Sequence, residues 1–271
     1  MRHSAWTFVL SFLLLACSHA EVKPINGIDL YYEIKGSGTP IVFLHGGYSD
    51  SDMWAVHKAL LDNDYQIITI DSRGHGRSTD GNTPITYQLM ADDTLKLLNA
   101  LNISNAHFVG WSDGAVIAAQ IAATQPQYIN KLVMIGASFG ADTFVPAFSA
   151  ILNNEAIFKA FADTAFSIRY KKKNPDPDHW PVFRDKVYDM WQTPCYLDSL
   201  NIENCLEPLE SIPSETLVLV GHNEIISKDH TEEIASTIPN AELITVHFAG
   251  HYLPEVRPFK TVAIIKEFLE N

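Results

Sequence analysis

Residues 108–114 read Phe-Val-Gly-Trp-Ser-Asp-Gly. Apolar residues precede the Gly-x-Ser-x-Gly pattern, and a run of small apolar residues (115–119) follows it. This order predicts a strand, a sharp turn and a helix, which is the local structure of a nucleophile elbow. The two glycines leave room for the neighbouring strand and helix. The sharp turn is expected to expose the hydroxyl of Ser112 at the edge of a sheet. Ser112 is therefore the candidate nucleophile.

Strand patterns occur on both sides of this stretch. Asn26-Gly27 separates two strand-like segments and predicts a β-hairpin. Helix-like segments, among them 87–101 and 115–124, separate most of the later strands, which predicts a largely parallel sheet flanked by helices. The later strands are continuous apolar runs, which indicates strands covered on both faces. These runs are 41–44, 66–70, 107–109, 131–135, 216–220 and 242–246.

The alternation of strands and helices lapses between about residues 138 and 209. This span is rich in aromatic residues and helical in character, and we interpret it as a cap inserted between strands of the core. Most of its aromatic side chains are expected to pack inward, and two or three to line a pocket. The basic run Lys171-Lys172-Lys173 is interpreted as a solvated loop, with an anion-binding patch as the alternative.

Length and charge restrict the class of protein. The 271 residues suffice for one large domain, and 46% of them are hydrophobic. A net charge of −13 argues against nucleic-acid binding, which requires clustered cations. We expect a small-molecule substrate and a monomer. No cysteine or histidine spacing typical of a zinc site occurs, so no metal is expected.

The first twenty residues have the pattern of an export signal: a positively charged start, then a short apolar run. The segment 14–17 reads Leu-Leu-Ala-Cys and resembles a bacterial lipobox, in which Cys17 would carry a lipid. Cleavage after Ala20 would instead release a soluble protein, and a retained anchor is the third alternative. Each version places the chain outside the cytoplasm, in a bacterial periplasm, and membrane contact is expected only through a lipid anchor at the N-terminus.

Two further cysteines, Cys195 and Cys205, lie ten residues apart. An oxidising compartment would favour a disulfide between them, and two free thiols are the alternative.

A serine nucleophile needs a base that accepts its proton. The candidate base is His251, which follows the last strand-like run, in the order serine, acid, histidine that the elbow implies. His247, in the strand just before, is the alternative.

The acid that orients the histidine should follow the end of a strand. Glu224 lies three residues after Gly221, where a strand is expected to end. Asp142 and Asp229 are the alternatives.

An oxyanion hole needs two backbone N–H donors near the nucleophile. Asp113, directly after the serine, is expected to supply one donor. Gly47, in the His-Gly-Gly loop after the strand at 41–44, is expected to supply the other, and a plain turn is the alternative. The Asp113 carboxylate could also favour substrates with an amino group near the scissile bond, or it could pack only locally.

These motifs together resemble the α/β-hydrolase family over nearly all of residues 22–271. The elbow and the segment that follows its helix are similar to the branch of biphenyl hydrolase-like proteins and valacyclovir hydrolase. Glu224, where that branch has aspartate, and the export signal depart from it. The matching segments are His45-Gly46-Gly47, the loop 71–78, the elbow 110–114, Gly221-x-x-Glu224 and Ala249-Gly250-His251.

The resemblance implies an α/β-hydrolase domain over residues 21–271, with the cap at about 138–209 and no cofactor. It implies that the 71–78 loop is structural, so that Arg73 and His75 are not catalytic. It also implies hydrolysis of carboxylic esters of small or medium acyl groups through an acyl-enzyme on Ser112. The same residues could act on amide, lactone, thioester or carbon–carbon bonds, and a non-catalytic binding protein is a further alternative.

Overall fold

The computed structural model of the protein describes residues 19–197 and 204–271. The predicted export segment and Cys17 lie outside the described residues, except for His19 and Ala20, which begin the first strand. An eight-stranded sheet with helices on both faces forms the centre of the described chain, which confirms the predicted fold class. The strands are β1 (His19–Ile25), β2 (Ile28–Gly36), β3 (Thr39–Leu44), β4 (Tyr65–Ile70), β5 (Ala106–Trp111), β6 (Ile129–Ile135), β7 (Glu215–Asn223) and β8 (Ala241–Gly250).

The sheet is parallel except at its start. Its order is β1-β2-β4-β3-β5-β6-β7-β8, and β2 runs antiparallel to both β1 and β4. The predicted hairpin joins β1 to β2. Its two turn residues, Asn26 (φ 52°) and Gly27 (φ 80°), are both in the left-handed region that a two-residue hairpin turn requires.

The helices cover both faces of the sheet. Side chains alternate along β3: Ile41 and Phe43 join the core on one face, and Val42 and Leu44 join the core on the other. Helices α1, α9 and α10 pack on the first face, and α2, α3 and α8 on the second. The helices are α1 (Ala55–Leu61), α2 (Tyr87–Ala100), α3 (Asp113–Thr124), α4 (Pro146–Leu152), α5 (Glu155–Ala165), α6 (Ser167–Lys173), α7 (Trp180–Trp191), α8 (Lys228–Thr237), α9 (Leu253–Val256) and α10 (Pro258–Glu270). None of these helices is long and apolar enough to cross a membrane.

One strand departs from the expectation of burial on both faces. β8 is the last strand of the sheet, and most of its side chains are exposed or half-buried. As an edge strand, β8 pairs with one neighbour only. Much of its surface is therefore exposed, although its sequence is apolar.

Helices α4–α7 lie between β6 and β7, within the span expected to form a cap. The prediction of a loop at Lys171–Lys173 was wrong, because these residues form the last turn of α6, but Lys171 and Lys172 are exposed to solvent as predicted. The Lys173 ammonium lies 2.5 Å from carboxylate oxygens of both Asp50 and Asp52. Arg169, one turn earlier, binds Asp50 at 2.5 Å. These ion pairs hold the cap against the loop that follows β3.

The 71–78 loop is held by a buried ion pair. The Arg73 guanidinium donates to both Asp93 oxygens, at 2.7 and 2.8 Å, and both side chains are 3% exposed. It also donates to the backbone oxygens of Asp80 and Asn26. This pair therefore ties the loop to α2 and to the β1–β2 hairpin.

We expect Arg73→Leu to lower the free energy of unfolding by about 3–5 kcal/mol, because it leaves the Asp93 charge buried without a cation and with only the Asn26 amide as a donor. Urea unfolding measures the change. The double variant Arg73→Leu/Asp93→Leu removes both charges and is expected to recover more than half of the loss. A single variant within about 1 kcal/mol of the wild type would contradict this account.

Candidate active site

Ser112 occupies the sharp turn between β5 and α3. Its backbone has φ 53° and ψ −119°, a conformation that is costly for a residue with a side chain and that concentrates at functional sites. Its N–H donates to the Ile135 oxygen of the neighbouring β6 at 2.8 Å. A Cβ at Gly110 would clash with the Gly114 backbone, and a Cβ at Gly114 would clash with the Leu44 backbone. The glycines of the motif are therefore required by close packing around the turn.

Ser112, His251 and Glu224 form a chain of hydrogen bonds. Ser112 Oγ lies 3.1 Å from His251 Nε2, and His251 Nδ1 lies 2.6 Å from Glu224 Oε1. The side chains of His251 and Glu224 are only 10% and 8% exposed. A carboxylate on Nδ1 holds the proton there and leaves Nε2 free to accept the serine proton.

The order of the strands brings these residues together. Ser112, Glu224 and His251 follow the carboxyl ends of β5, β7 and β8, which lie on one edge of the sheet. Trp111 Nε1 donates to the His251 backbone oxygen at 2.7 Å, which fixes the histidine loop against the elbow. Gly136, after β6, has φ 57°, and its Cβ position lies 3.1 Å from His251 Nδ1. A side chain at this position would crowd the imidazole.

The alternative residues lie elsewhere. Asp142 and Asp229 line a separate surface cavity beside the C-terminal part of the cap. The exposed His247 ring packs against His222, with centroids 5.3 Å apart.

The loop after β3 brings Gly47 beside the nucleophile. Gly47 and Asp113 both line the cavity that contains Ser112. A Cβ at Gly47 would lie 2.6 Å from Asp113 Oδ2 and would also meet the Trp191 ring, so only glycine fits. The backbone can therefore approach a substrate closely here, as an oxyanion donor must.

The Asp113 side chain lies in a polar contact between the core and the cap. Trp191 Nε1, at the end of α7, donates to both carboxylate oxygens at 3.0 and 3.1 Å. Tyr87 donates its hydroxyl to Oδ1 at 3.0 Å. Burial raises the pKa of the Asp113 carboxyl to about 6, and the hydrogen bonds from Trp191 and Tyr87 act in the opposite direction.

A cavity of about 300 Å³ opens at Ser112. The cap supplies most of its apolar wall, with more aromatic side chains than the two or three expected from the sequence. These are Phe144, Phe148, Phe161, Phe166, Trp191 and Tyr196. Such a wall suits an apolar substrate.

The loop histidines are placed for structure. His75 and Arg73 do not line the Ser112 cavity. Burial lowers the pKa of His75 to about 3 and that of His45 to about 4, so both rings are neutral at pH 7. Among the described residues, no cluster of three or more histidine, cysteine or acidic side chains could hold a metal ion.

Cys195 and Cys205 form a disulfide, with their Cα atoms 5.3 Å apart. It links the segment after α7 to the segment before β7. Tyr196, beside this disulfide, lines the Ser112 cavity.

The family model of the α/β-hydrolase fold matches residues 39–176, which is half of the chain. The chain belongs to the α/β-hydrolase family. The match includes the Gly47 loop, the elbow and the first half of the cap.

Related hydrolases align over nearly the whole chain. A Haemophilus influenzae protein provisionally named as an esterase/lipase is 26% identical, covering 94% of this chain and 92% of that protein. The sn-1-specific diacylglycerol lipase ABHD11 of Danio rerio is 26% identical, covering 92% of this chain and 85% of that protein. Among solved structures, Est816, described as an N-acyl homoserine lactone degrading enzyme, is 27% identical with a TM-score of 0.70, covering 91% of this chain and 99% of that chain. This α/β hydrolase thus has esterase- and lipase-like relatives.

Sequence reasoning missed the partners of Asp113 and the role of Trp111. Tyr87 and Trp191 each carry a polar atom on a largely apolar ring, which is a weak signal for a buried hydrogen bond. Trp111 lies inside the elbow motif, but its partner is 140 residues away.

The Asp113 carboxyl predicts a pH dependence of stability. Its raised pKa means that the folded state binds more protons than the unfolded state between about pH 3.8 and 6, so stability falls as pH rises through this window. Asp113→Asn lacks this titration. We expect its free energy of unfolding, relative to the wild type, to rise by about 2 kcal/mol from pH 4 to pH 8. Urea unfolding at several pH values measures this, and parallel curves would refute the assignment.

Proposed function

We propose that this α/β hydrolase cleaves carboxylic esters of small to medium acyl groups through an acyl-enzyme on Ser112. The observation that carries the proposal is the hydrogen-bonded chain from Ser112 through His251 to Glu224, which opens into an apolar cavity.

In the proposed reaction, Ser112 Oγ attacks the acyl carbonyl while His251 Nε2 accepts the hydroxyl proton. Glu224 stabilises the imidazolium through Nδ1. The backbone N–H groups of Gly47 and Asp113 donate to the oxyanion of the tetrahedral intermediate. His251 then gives its proton to the departing alkoxide, and the C–O bond breaks. Water enters and attacks the acyl-enzyme by the same route, which releases the acid and restores Ser112.

The cavity supports a preference for apolar acyl groups of limited size. Its volume of about 300 Å³ is at the lower end of the range for small-molecule pockets. Aromatic side chains from the cap surround the space beside Ser112, and each buried methylene of a substrate would contribute about 0.8 kcal/mol.

The names of three relatives are compatible with an ester substrate. They are an esterase/lipase, a diacylglycerol lipase and an enzyme described as degrading N-acyl homoserine lactone. The proposal includes the finer resemblance to biphenyl hydrolase-like proteins and valacyclovir hydrolase. The elbow sequence supports this resemblance. Amide, thioester and carbon–carbon bonds are the alternatives that the same three residues could serve.

We also propose that the chain is exported, with Cys17 as a site of lipidation. The disulfide between Cys195 and Cys205 supports an oxidising compartment, where such bonds persist.

The first experiment is hydrolysis of p-nitrophenyl esters from acetate to laurate. We expect Ser112→Ala to lower kcat by roughly 10⁴-fold or more, because it removes the nucleophile. Ser236→Ala, an exposed serine in α8, is the matched control and should behave as the wild type. A folded wild type without activity on any ester would reject the ester proposal and favour another bond.

A second candidate is a preference for acyl groups that carry an amine near the scissile bond. Within the described residues, Asp113 is a buried carboxylate without an ion-pair partner, and its Oδ2 accepts only from Trp191. Oδ2 also faces Gly47 in the cavity, so a substrate ammonium could complete its hydrogen bonding.

This candidate predicts unequal losses in Asp113→Asn. An ammonium that binds a carboxylate is worth about 1.5–3 kcal/mol, so kcat/KM for aminoacyl esters should fall ten- to a hundredfold more than that for plain acyl esters. Equal losses on both kinds of ester would exclude a role of the carboxylate in substrate choice.

A further inference from the structure

A second cavity shares a lining residue, Tyr196, with the Ser112 cavity. Its volume is about 310 Å³, similar to that of the first. It lies between the start of α2 and the end of α7, and Tyr196 lines both cavities. Tyr87 also lines the second cavity, while its hydroxyl reaches Asp113 in the first. The two tyrosine rings pack together with centroids 5.0 Å apart. These two rings therefore form a wall between the cavities.

Tyr196 is held firmly in this position. Its hydroxyl donates to the Trp191 backbone oxygen at 3.0 Å, and its N–H donates to the Phe139 oxygen at 3.1 Å. The side chain is 3% exposed, and the disulfide fixes the preceding residue, Cys195. Tyr196 therefore acts as a fixed partition in this structure.

Part of the lining of the second cavity is apolar, as most of the first is. Pro84, Ile85 and Met190 supply apolar surface, and the Lys186 ammonium is held by Asp80 and by the Gly81 backbone oxygen. An apolar chain that passed Tyr196 would exchange water for apolar contacts there, which is favourable. Truncation of Tyr196 alone would remove the side chain common to both linings.

We infer that Tyr196 is the residue that limits substrate size, and that the cavity behind it is a latent subsite for the far end of an apolar ester. The inference rests on the proposed ester hydrolysis and deepens it. It assigns the upper limit of substrate length to one side chain.

The test compares Tyr196→Ala with the wild type on two ester series. The first varies the acyl group from acetate to laurate on p-nitrophenol, and the second varies the alcohol from ethanol to decanol on butyrate. In at least one series we expect the ratio of kcat/KM between long and short members to rise tenfold or more, since single methylenes in an apolar pocket change kcat/KM by factors of this order. The series that responds identifies the side of the scissile bond that faces the wall.

Two matched variants separate this effect from general loosening. Tyr196→Phe keeps the wall and loses only the hydroxyl, so it should retain the wild-type length profile. Tyr170→Ala makes the same truncation in the cap core, against Phe183 and away from both cavities, and should also retain it. If Tyr196→Ala does not fold, Tyr196→Val is used. The valine side chain is still apolar, but it is too short to separate the two cavities.

Unchanged length profiles in a folded Tyr196→Ala or Tyr196→Val, alongside wild-type activity on short esters, would overturn the inference and leave the proposed function intact. An equal change in Tyr170→Ala would also overturn it. A wild type that cleaves no ester would reject the proposed function, and the inference would fall with it.

Discussion

The strained backbone at Ser112 is the constraint on which the rest of the site depends. A residue with a side chain holds φ 53° only where the surroundings fix it. Here the Ser112 N–H is bound to β6, and α3 packs so closely that Gly110 and Gly114 cannot carry a Cβ. The same packing places the start of α3 against the end of β3, which brings the Gly47 loop to the nucleophile.

The cap belongs to the site as much as the sheet does. Trp191 contacts the position of Gly47 and donates to Asp113, so one cap side chain touches both residues expected to form the oxyanion hole. Arg169 and Lys173 bind Asp50, only three residues after Gly47. Any movement of the cap would therefore act on the Gly47 loop as well as on the shape of the cavity.

Much of the fold followed from local patterns. Asn26-Gly27 predicted the hairpin because few other pairs adopt two left-handed conformations cheaply. The continuous apolar runs predicted the parallel strands, β8 included. They predicted burial wrongly at β8, since an edge strand with an apolar sequence resembles a central one. The basic run in α6 was predicted to be a loop. Its ion pairs were not foreseen, because the partners of Lys173, Asp50 and Asp52, lie more than a hundred residues away.

The amino-acid sequence by itself determines the elbow, because the close packing around Ser112 requires small residues only a few positions away in the chain. It also fixes the order in which the serine, the candidate acids and the histidine follow their strands. It does not choose among Glu224, Asp142 and Asp229, since each lies beyond the end of a neighbouring strand. That choice depends on the path of each loop across the sheet edge, which brings Glu224 within 2.6 Å of His251. The Asp113 contact between core and cap and the Tyr196 wall likewise arise only in the folded chain, because they join side chains that are distant in sequence and meet by packing.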